Sequence, residues 1–300
     1  MNCPCWQWRI DQTEGQRTKD EVQRLVPRPS SIVLSPLYFV LVICLLCQPG
    51  NAAGGSDKVD TYISQQMAKH QIPGLSLAVV KNGKVLKLKG YGVSSIELGV
   101  PADENSVFQI YSTTKIFAGV AILKLVEDGK LTLDTAVTDI IETLPPAWKA
   151  IRVRHLLTHT SGLPEKQDNP RFAGLSDEKK KETPPEEWIP LVAEMPLKFH
   201  AGEKLSYHRS GYSLLGVIVE RLAGMTFAAF LEARVFAPLQ MSSTRFGDSE
   251  VIVKGHPPTA YFRGDGELRH WVYAFGYGNP GTGLNSSAAD LVLLFINTLT

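Results

Sequence analysis

The sequence predicts an α+β domain, and three observations carry that reading. Two strand-like runs, Gly74-Leu-Ser-Leu-Ala-Val-Val80 and Lys84-Val-Leu-Lys-Leu-Lys-Gly90, flank Asn82-Gly83, the dipeptide that most strongly signals a two-residue hairpin turn. The stretch from Tyr111 to Gly129 has an apolar middle, Ile116 to Leu123, with no polar face, which predicts a helix buried on every side. Further helical patterns follow over Glu186 to Met195, up to Ala223, and over Phe227 to Val235, so strands come first and helices after.

The N-terminal third divides by composition. Residues 1–31 form a polar leader, mixed in charge and broken by Pro27 and Pro29. Leu37 to Cys47 is an unbroken apolar run, too short to span a bilayer but suited to a signal-peptide core. Arg24 and Arg28 precede it and the small residues of Gly50-Asn-Ala-Ala53 follow, so residues 32–53 read as a signal peptide with its cleavage region. The expected location is periplasmic or secreted, with membrane contact only through this segment or through a lipid on Cys47, although Leu46 is bulky for a lipidation site. The leader is long for a signal peptide, as an upstream-assigned start would make it. The folded domain then occupies residues 54–300. All four cysteines precede residue 50, so that domain has no thiol, disulfide or cysteine-bound metal.

Within the domain, Ser56 to His70 reads as a helix capped by Ser56 and stopped before Pro73. Leu86 and Leu88 alternate with Lys87 and Lys89, giving the second strand one wet face. Ser112 opens the central helix with a hydroxyl suited to its N-terminus, and Gly129 closes it. Asp134, at the end of Leu131-Thr-Leu-Asp, is placed to cap a short helix. Residues 165–185 read as a polar insertion, 236–284 as loop-rich, and Ser286 to Leu299 as a last helix. His155 and His159 stand four apart, a metal-ligand spacing. Leu156 occupies the place of a zinc protease's glutamate and no third ligand suggests itself, so both are expected to bond backbone at a helix end, with no metal and no cofactor.

One charged residue does not suit the buried helix. Lys115 follows Ser112 by three, so both face the same way. Drying an ammonium group favours its neutral form, and a serine at a helix start beside such a lysine is a nucleophile beside its activator. A formal net charge of +1, with no basic stripe, gives no footprint for nucleic acid.

The order of segments resembles the penicillin-recognising serine hydrolases: class C β-lactamases, D-alanyl-D-alanine carboxypeptidases and related esterases. The matching segments are Val80-Lys-Asn-Gly83, Tyr111-Ser-Thr-Thr-Lys115, Gly129 to Asp134, Leu156-Leu-Thr-His-Thr-Ser-Gly-Leu163, Tyr207 with Gly211 to Gly216, and Gly283 to Leu291. The resemblance implies a β-lactamase-like fold, an antiparallel sheet flanked by helices with a mostly helical subdomain. It implies Ser112 as nucleophile, Lys115 as the group accepting or relaying its proton and Tyr207 as second acid/base. The substrate would be a small acyl compound: a β-lactam, a D-Ala peptide or an ester.

Two departures stand out. The family's Tyr-x-Asn reads Tyr207-His208-Arg209 here, so Arg209 brings a fixed charge and only donors to a substrate-binding position. The family's third motif, Lys-Thr-Gly or His-x-Gly, has no counterpart, since His256-Pro-Pro and Gly281-Thr-Gly283 come too early. On that resemblance the chain is C-terminally incomplete, leaving the hairpin short of neighbours and an apolar face bare. The alternatives are a non-catalytic ligand-binding domain of the same fold, or an inactive fragment.

Overall fold

The computed structural model describes residues 57–176, 179–180, 183–246, 260–264, 267–271 and 280–298. The leader and signal-peptide assignments, all four cysteines, Ser56, His256 and the ends of the 177–182 charge run lie outside them. Helix α1 spans Lys58–His70, and the Asp57 carboxylate accepts the Val59 N–H at 3.0 Å, as a capping side chain does.

Strands β1 (Gly74–Lys81) and β2 (Lys84–Ser95) pair antiparallel around Asn82-Gly83. Both turn residues are left-handed, φ 51° and 68°, the type I′ geometry that matches the twist of a hairpin. Among the described residues β1 is the edge of its sheet and none of its residues is fully buried, as a hairpin short of neighbours would be. Strand β3 (Val100–Pro101) joins the far end of β2, and the last helix packs across β1 and β2. The expected wet and dry faces do not separate near the turn, where Leu86 stays 61% exposed.

Strand β4 (Val107–Gln109) leads through a 3₁₀ turn, Tyr111–Thr113, into α2 (Thr114–Glu127). Gly129 N–H donates to Val126 O and Lys130 N–H to Leu125 O, the paired bonds of a Schellman motif, with Gly129 at φ 69°. The helix is not buried all round. Phe117, Ala118, Ala121, Ile122 and Leu125 are enclosed, whereas Ile116 and Leu123, seven apart on one face, are exposed. An apolar composition without a polar stripe does not specify how much of a helix its neighbours cover.

Short helices α3 (Val137–Ile140) and α4 (Val153–Leu157) follow. Asp134 caps neither; it pairs with Arg154. Residues 165–185 are more than an insertion: α5 (Pro170–Ala173) buries Phe172, and Asn169 is 4% exposed. Helix α6 (Pro185–Ala193) adds Trp188 and Val192 to the core.

The core gathers on α7 (Ser210–Ala223), whose Leu214, Leu215, Ile218 and Val219 are fully enclosed with α2 and α4 beside them. Each such side chain contributes roughly 1.5–3 kcal/mol. Helix α8 (Phe227–Leu231) passes into a π turn, Glu232–Phe236, before α9 (Ala237–Leu239), where a single α-helix to Val235 was expected. That turn delivers Phe236 edge-on to Phe117, with ring centroids 5.6 Å apart.

Within the loop-rich stretch lie β5 (Arg245–Phe246), and β6 (Ala260–Gly264) paired with β7 (Glu267–Trp271). Strand β8 (Leu284–Ser287) sits between β4 and β5, antiparallel to both. The last helix, α10, spans Ala288–Thr298, so Ser286 and Ser287 are strand rather than helix. Ser287 Oγ accepts the Asp290 N–H at 3.1 Å and acts as its cap. From Thr61 to Thr300 the chain forms one compact unit, and among the described residues no single helix is long and apolar enough to cross a membrane.

Candidate active site

Ser112 lies on the 3₁₀ turn between β4 and α2, exposed to solvent. Two bonds to Leu284 bracket it: Ile110 N–H donates to Leu284 O at 2.9 Å, and Leu284 N–H donates to Thr114 Oγ1 at 3.2 Å. Tyr111, immediately before it, has φ 44°, a left-handed conformation that costs a non-glycine residue about 1–3 kcal/mol. The Ser112 hydroxyl does not cap α2. It lies instead 3.2 Å from Lys115 Nζ and 2.8 Å from Tyr207 Oη, both donating to it.

Lys115 is 8% exposed and fully engaged. Besides Ser112, its ammonium donates to Gly281 O at 2.6 Å. It also lies 5.0 Å from the ring centroid of Tyr207 and 5.4 Å from that of Tyr212. Tyr212, on α7, donates to Leu157 O at 2.9 Å; burial and the neighbouring Tyr207 raise its phenol above the ordinary value.

Tyr207 is 56% exposed. Burial of its inner part pushes its phenol up, but hydrogen bonding to Lys115 and Ser112 and the positive charges of Lys115 and Arg209 outweigh this, so it titrates below the ordinary tyrosine value. A cation and a phenol within reach of one serine hydroxyl can pass its proton along without leaving the site.

Two loops hold Tyr207 there. His159, Thr160 and Gly162 offer their carbonyls to the N–H groups of Ser206, Gly202 and Lys198 at 2.9, 2.8 and 2.8 Å. Gly162 has φ 73°, and a Cβ there would come 2.1 Å from Phe199 O, so the closeness of the two loops requires glycine. His208, 3% exposed, donates from Nδ1 to Ser206 O at 3.0 Å, which leaves Nε2 to accept from Ser161 Oγ at 2.9 Å. Glu165 takes the N–H groups of Arg209 and Ser210, at 2.7 and 3.2 Å, and the Ser210 hydroxyl at 3.1 Å. Its carboxylate thereby satisfies the positive end of α7, the helix that follows Tyr207.

Arg209 does not reach Ser112 through any direct contact. Its side chain is 58% exposed with Nε 3.9 Å from Glu165 Oε1, at the rim, and its charge reaches the centre by lowering Tyr207. Beside it Lys166 lies over the rings of Phe172 and Trp188, 5.0 and 5.6 Å from their centroids. Burial there and the nearby Arg209 lower its ammonium, against the pull of Glu165.

His155 and His159 do separate things. His155 Nδ1 accepts Arg152 N–H at 3.1 Å, and His159 Nδ1 accepts His208 N–H at 3.3 Å. Among the described residues no group of three or more His, Cys, Asp or Glu is gathered for a metal. Sequence reasoning missed Gly281, Glu165 and Leu284 as parts of the site. Gly281 and Leu284 act through backbone atoms, which no residue type announces. Glu165 carried a signal, an acid just beyond Leu163-Pro164, but its partner lies 44 positions away.

An α+β domain presenting Ser-x-x-Lys at the start of its central helix, with a tyrosine against the serine, defines a class of serine hydrolase folds. The chain belongs to the beta-lactamase family, whose profile matches residues 59–299. It is 28% identical over 242 residues to Protein flp of Staphylococcus aureus strain MW2, covering 72% of this chain and 48% of that protein. It is 29% identical over 214 residues to esterase EstB of Burkholderia gladioli, covering 67% and 54%. Its fold superposes on the octameric penicillin-binding protein homologue from Pyrococcus abyssi with a TM-score of 0.69 and 30% identity, covering 80% of this chain and 55% of that one. The chain thus spans about half the length of the relatives it matches.

Proposed function

We propose that this protein is a serine hydrolase that transfers an acyl group to water through an ester on Ser112. The observation that carries the reading is the simultaneous approach of Lys115 Nζ and Tyr207 Oη to one exposed hydroxyl, at 3.2 and 2.8 Å. In its ionised form, which the Lys115 ammonium favours, Tyr207 accepts the Ser112 O–H instead of donating to it and takes that proton as Oγ forms its bond to the acyl carbon. The oxyanion that develops faces the Ser112 N–H, at a helix start where such groups lack an intrahelical acceptor. Collapse breaks the bond to the leaving group, which takes the proton from Tyr207. Water then attacks the ester, giving its proton to Tyr207, and Ser112 leaves with that proton restored.

Arg209 at the rim favours esters and carboxylate-bearing acyl compounds over neutral amides, since it offers charge and donors but no acceptor. Export by the 32–53 segment belongs to the same proposal, because it puts the site where cell-wall peptides, lactams and extracellular esters are met. A fluorophosphonate probe and a fluorescent penicillin should each label the protein on Ser112, and Ser112→Ala should abolish both. A chromogenic cephalosporin set against a short-chain nitrophenyl ester then separates the substrate classes. Absence of any Ser112 adduct would end the proposal.

A further inference from the structure

The geometry points to His159 as the positioning residue of this site: its Nδ1 fixes the peptide between Tyr207 and His208 and so aims the Tyr207 hydroxyl at Ser112. This rests on the function proposed above and extends it to a residue of the Thr158-His-Thr-Ser-Gly162 segment, for which the chemistry has no other use.

Three features of His159 converge. Its backbone is left-handed at φ 57°, a conformation in which His, Asn and Asp are enriched, and its ring lies against those of Tyr207, His208 and Tyr212. Its Nδ1 accepts the His208 N–H at 3.3 Å, one residue beyond Tyr207, while its own carbonyl accepts the Ser206 N–H at 2.9 Å, one residue before it. His159 thus grips both neighbours of the tyrosine. Its ring also packs against the Tyr207 ring at 4.5 Å, tilted by 37°. With the residues on either side pinned and the ring backed, Tyr207 keeps its aim although it is half in solvent.

The grip needs a neutral imidazole, because a protonated ring has no lone pair at Nδ1 to accept the His208 N–H. The ionisable groups facing His159 are His208, Lys115, Glu165, Tyr207 and Tyr212. Burial, then the charges of His208 and Lys115, hold it below the ordinary histidine value, against the opposing pulls of the His208 backbone and of Glu165.

The test compares His159→Ala with His159→Asn. Asparagine keeps an acceptor near the Nδ1 position and tolerates the left-handed backbone, so it should preserve the grip without the ring. One readout is the phenolate absorbance of Tyr207 against pH, isolated by subtracting the same protein carrying Tyr207→Phe. His159→Ala should move that titration up towards the ordinary tyrosine value as Tyr207 drifts from Lys115, and His159→Asn should leave it near the wild-type position. The second readout is ester turnover: His159→Ala should lower kcat about a hundredfold, the scale of a ~1 Å misplacement, with KM changed less than about threefold. His159→Asn should recover most of that loss.

A folded His159→Ala protein with unchanged titration and kcat would overturn the assignment. So would a folded His159→Asn protein whose Tyr207 titrates at the ordinary value, the deciding result should the alanine variant not fold. Failure of the hydrolase reading is separate: it shows as no Ser112 adduct on the wild-type protein, and the Tyr207 titration still decides the role of His159.

Discussion

Lys115 Nζ donates to the carbonyl oxygen of Gly281 at 2.6 Å, a bond that spans 166 positions of sequence. An ammonium group has three N–H donors, and this bond occupies one in a fixed direction. The remainder are held towards Ser112 and the Tyr207 ring. Lys115→Met keeps the length of the side chain and removes both charge and donors. Fluorophosphonate labelling should slow by more than about a thousandfold, as it does on losing one member of a nucleophile–base unit. The buried bond from the Lys115 ammonium to the Gly281 carbonyl is lost, so a denaturation midpoint should record about 1.5–3 kcal/mol of lost stability.

Tyr207→Phe separates chemistry from packing. The ring remains and the hydroxyl goes, so kcat should fall by about 10²–10⁴, the range for a lost general base. With the side chain 56% exposed, unfolding should change by less than about 0.5 kcal/mol. In the proposed mechanism the ionised form is the active one, so turnover in the wild-type protein should rise as pH rises through the Tyr207 value. That value lies below the ordinary 10.0, and the rise should level off before that pH. A rate still climbing well above it would assign the proton to another group.

His155, His159 and His208 all titrate below the ordinary 6.5, chiefly because burial disfavours the charged ring. The unfolded chain therefore binds more protons than the folded one between those lowered values and 6.5. Stability is complete above about pH 6.5 and is lost as pH falls through the lowered folded values. Urea titrations at a series of pH values should show this decline, and His208→Gln should flatten it.

Gly162→Ala tests the clip between the two loops. The substitution forces a side chain into a left-handed backbone and places Cβ 2.1 Å from Phe199 O. The expected cost exceeds about 2 kcal/mol. In a domain of this size that lowers Tm by at least about 4 °C, measurable by calorimetry. Turnover per folded molecule should fall as well, because Tyr207 leans on the same clip.

What could be read in advance was local. Asn82-Gly83 specifies its turn through two left-handed residues, and Gly129 ends α2 for the same reason. Ser112 and Lys115 share a helical face by spacing alone, and Tyr207 entered only through resemblance to a family. What escaped was set by partners distant in sequence. Leu284-Asn-Ser-Ser287 has little strand propensity, and pairing with both β4 and β5 makes it a strand. The exposed face of α2 at Ile116 and Leu123 depends on which neighbours reach it, and the segment itself cannot say. Ser112 has the type of a helix cap, but Lys115 and Tyr207 claim its hydroxyl.

The backbone of Leu284 closes the turn that carries Ser112, 170 positions after Thr114, which it also holds. A ribosome therefore makes the serine, the lysine and the tyrosine long before it makes the peptide group that locks their geometry. Nascent chains arrested ahead of Gly281 would carry every reactive side chain and still be inert towards an acylating probe. On the proposed mechanism, the reactivity of this hydroxyl is a timer, switched on by the late arrival of two ordinary amides.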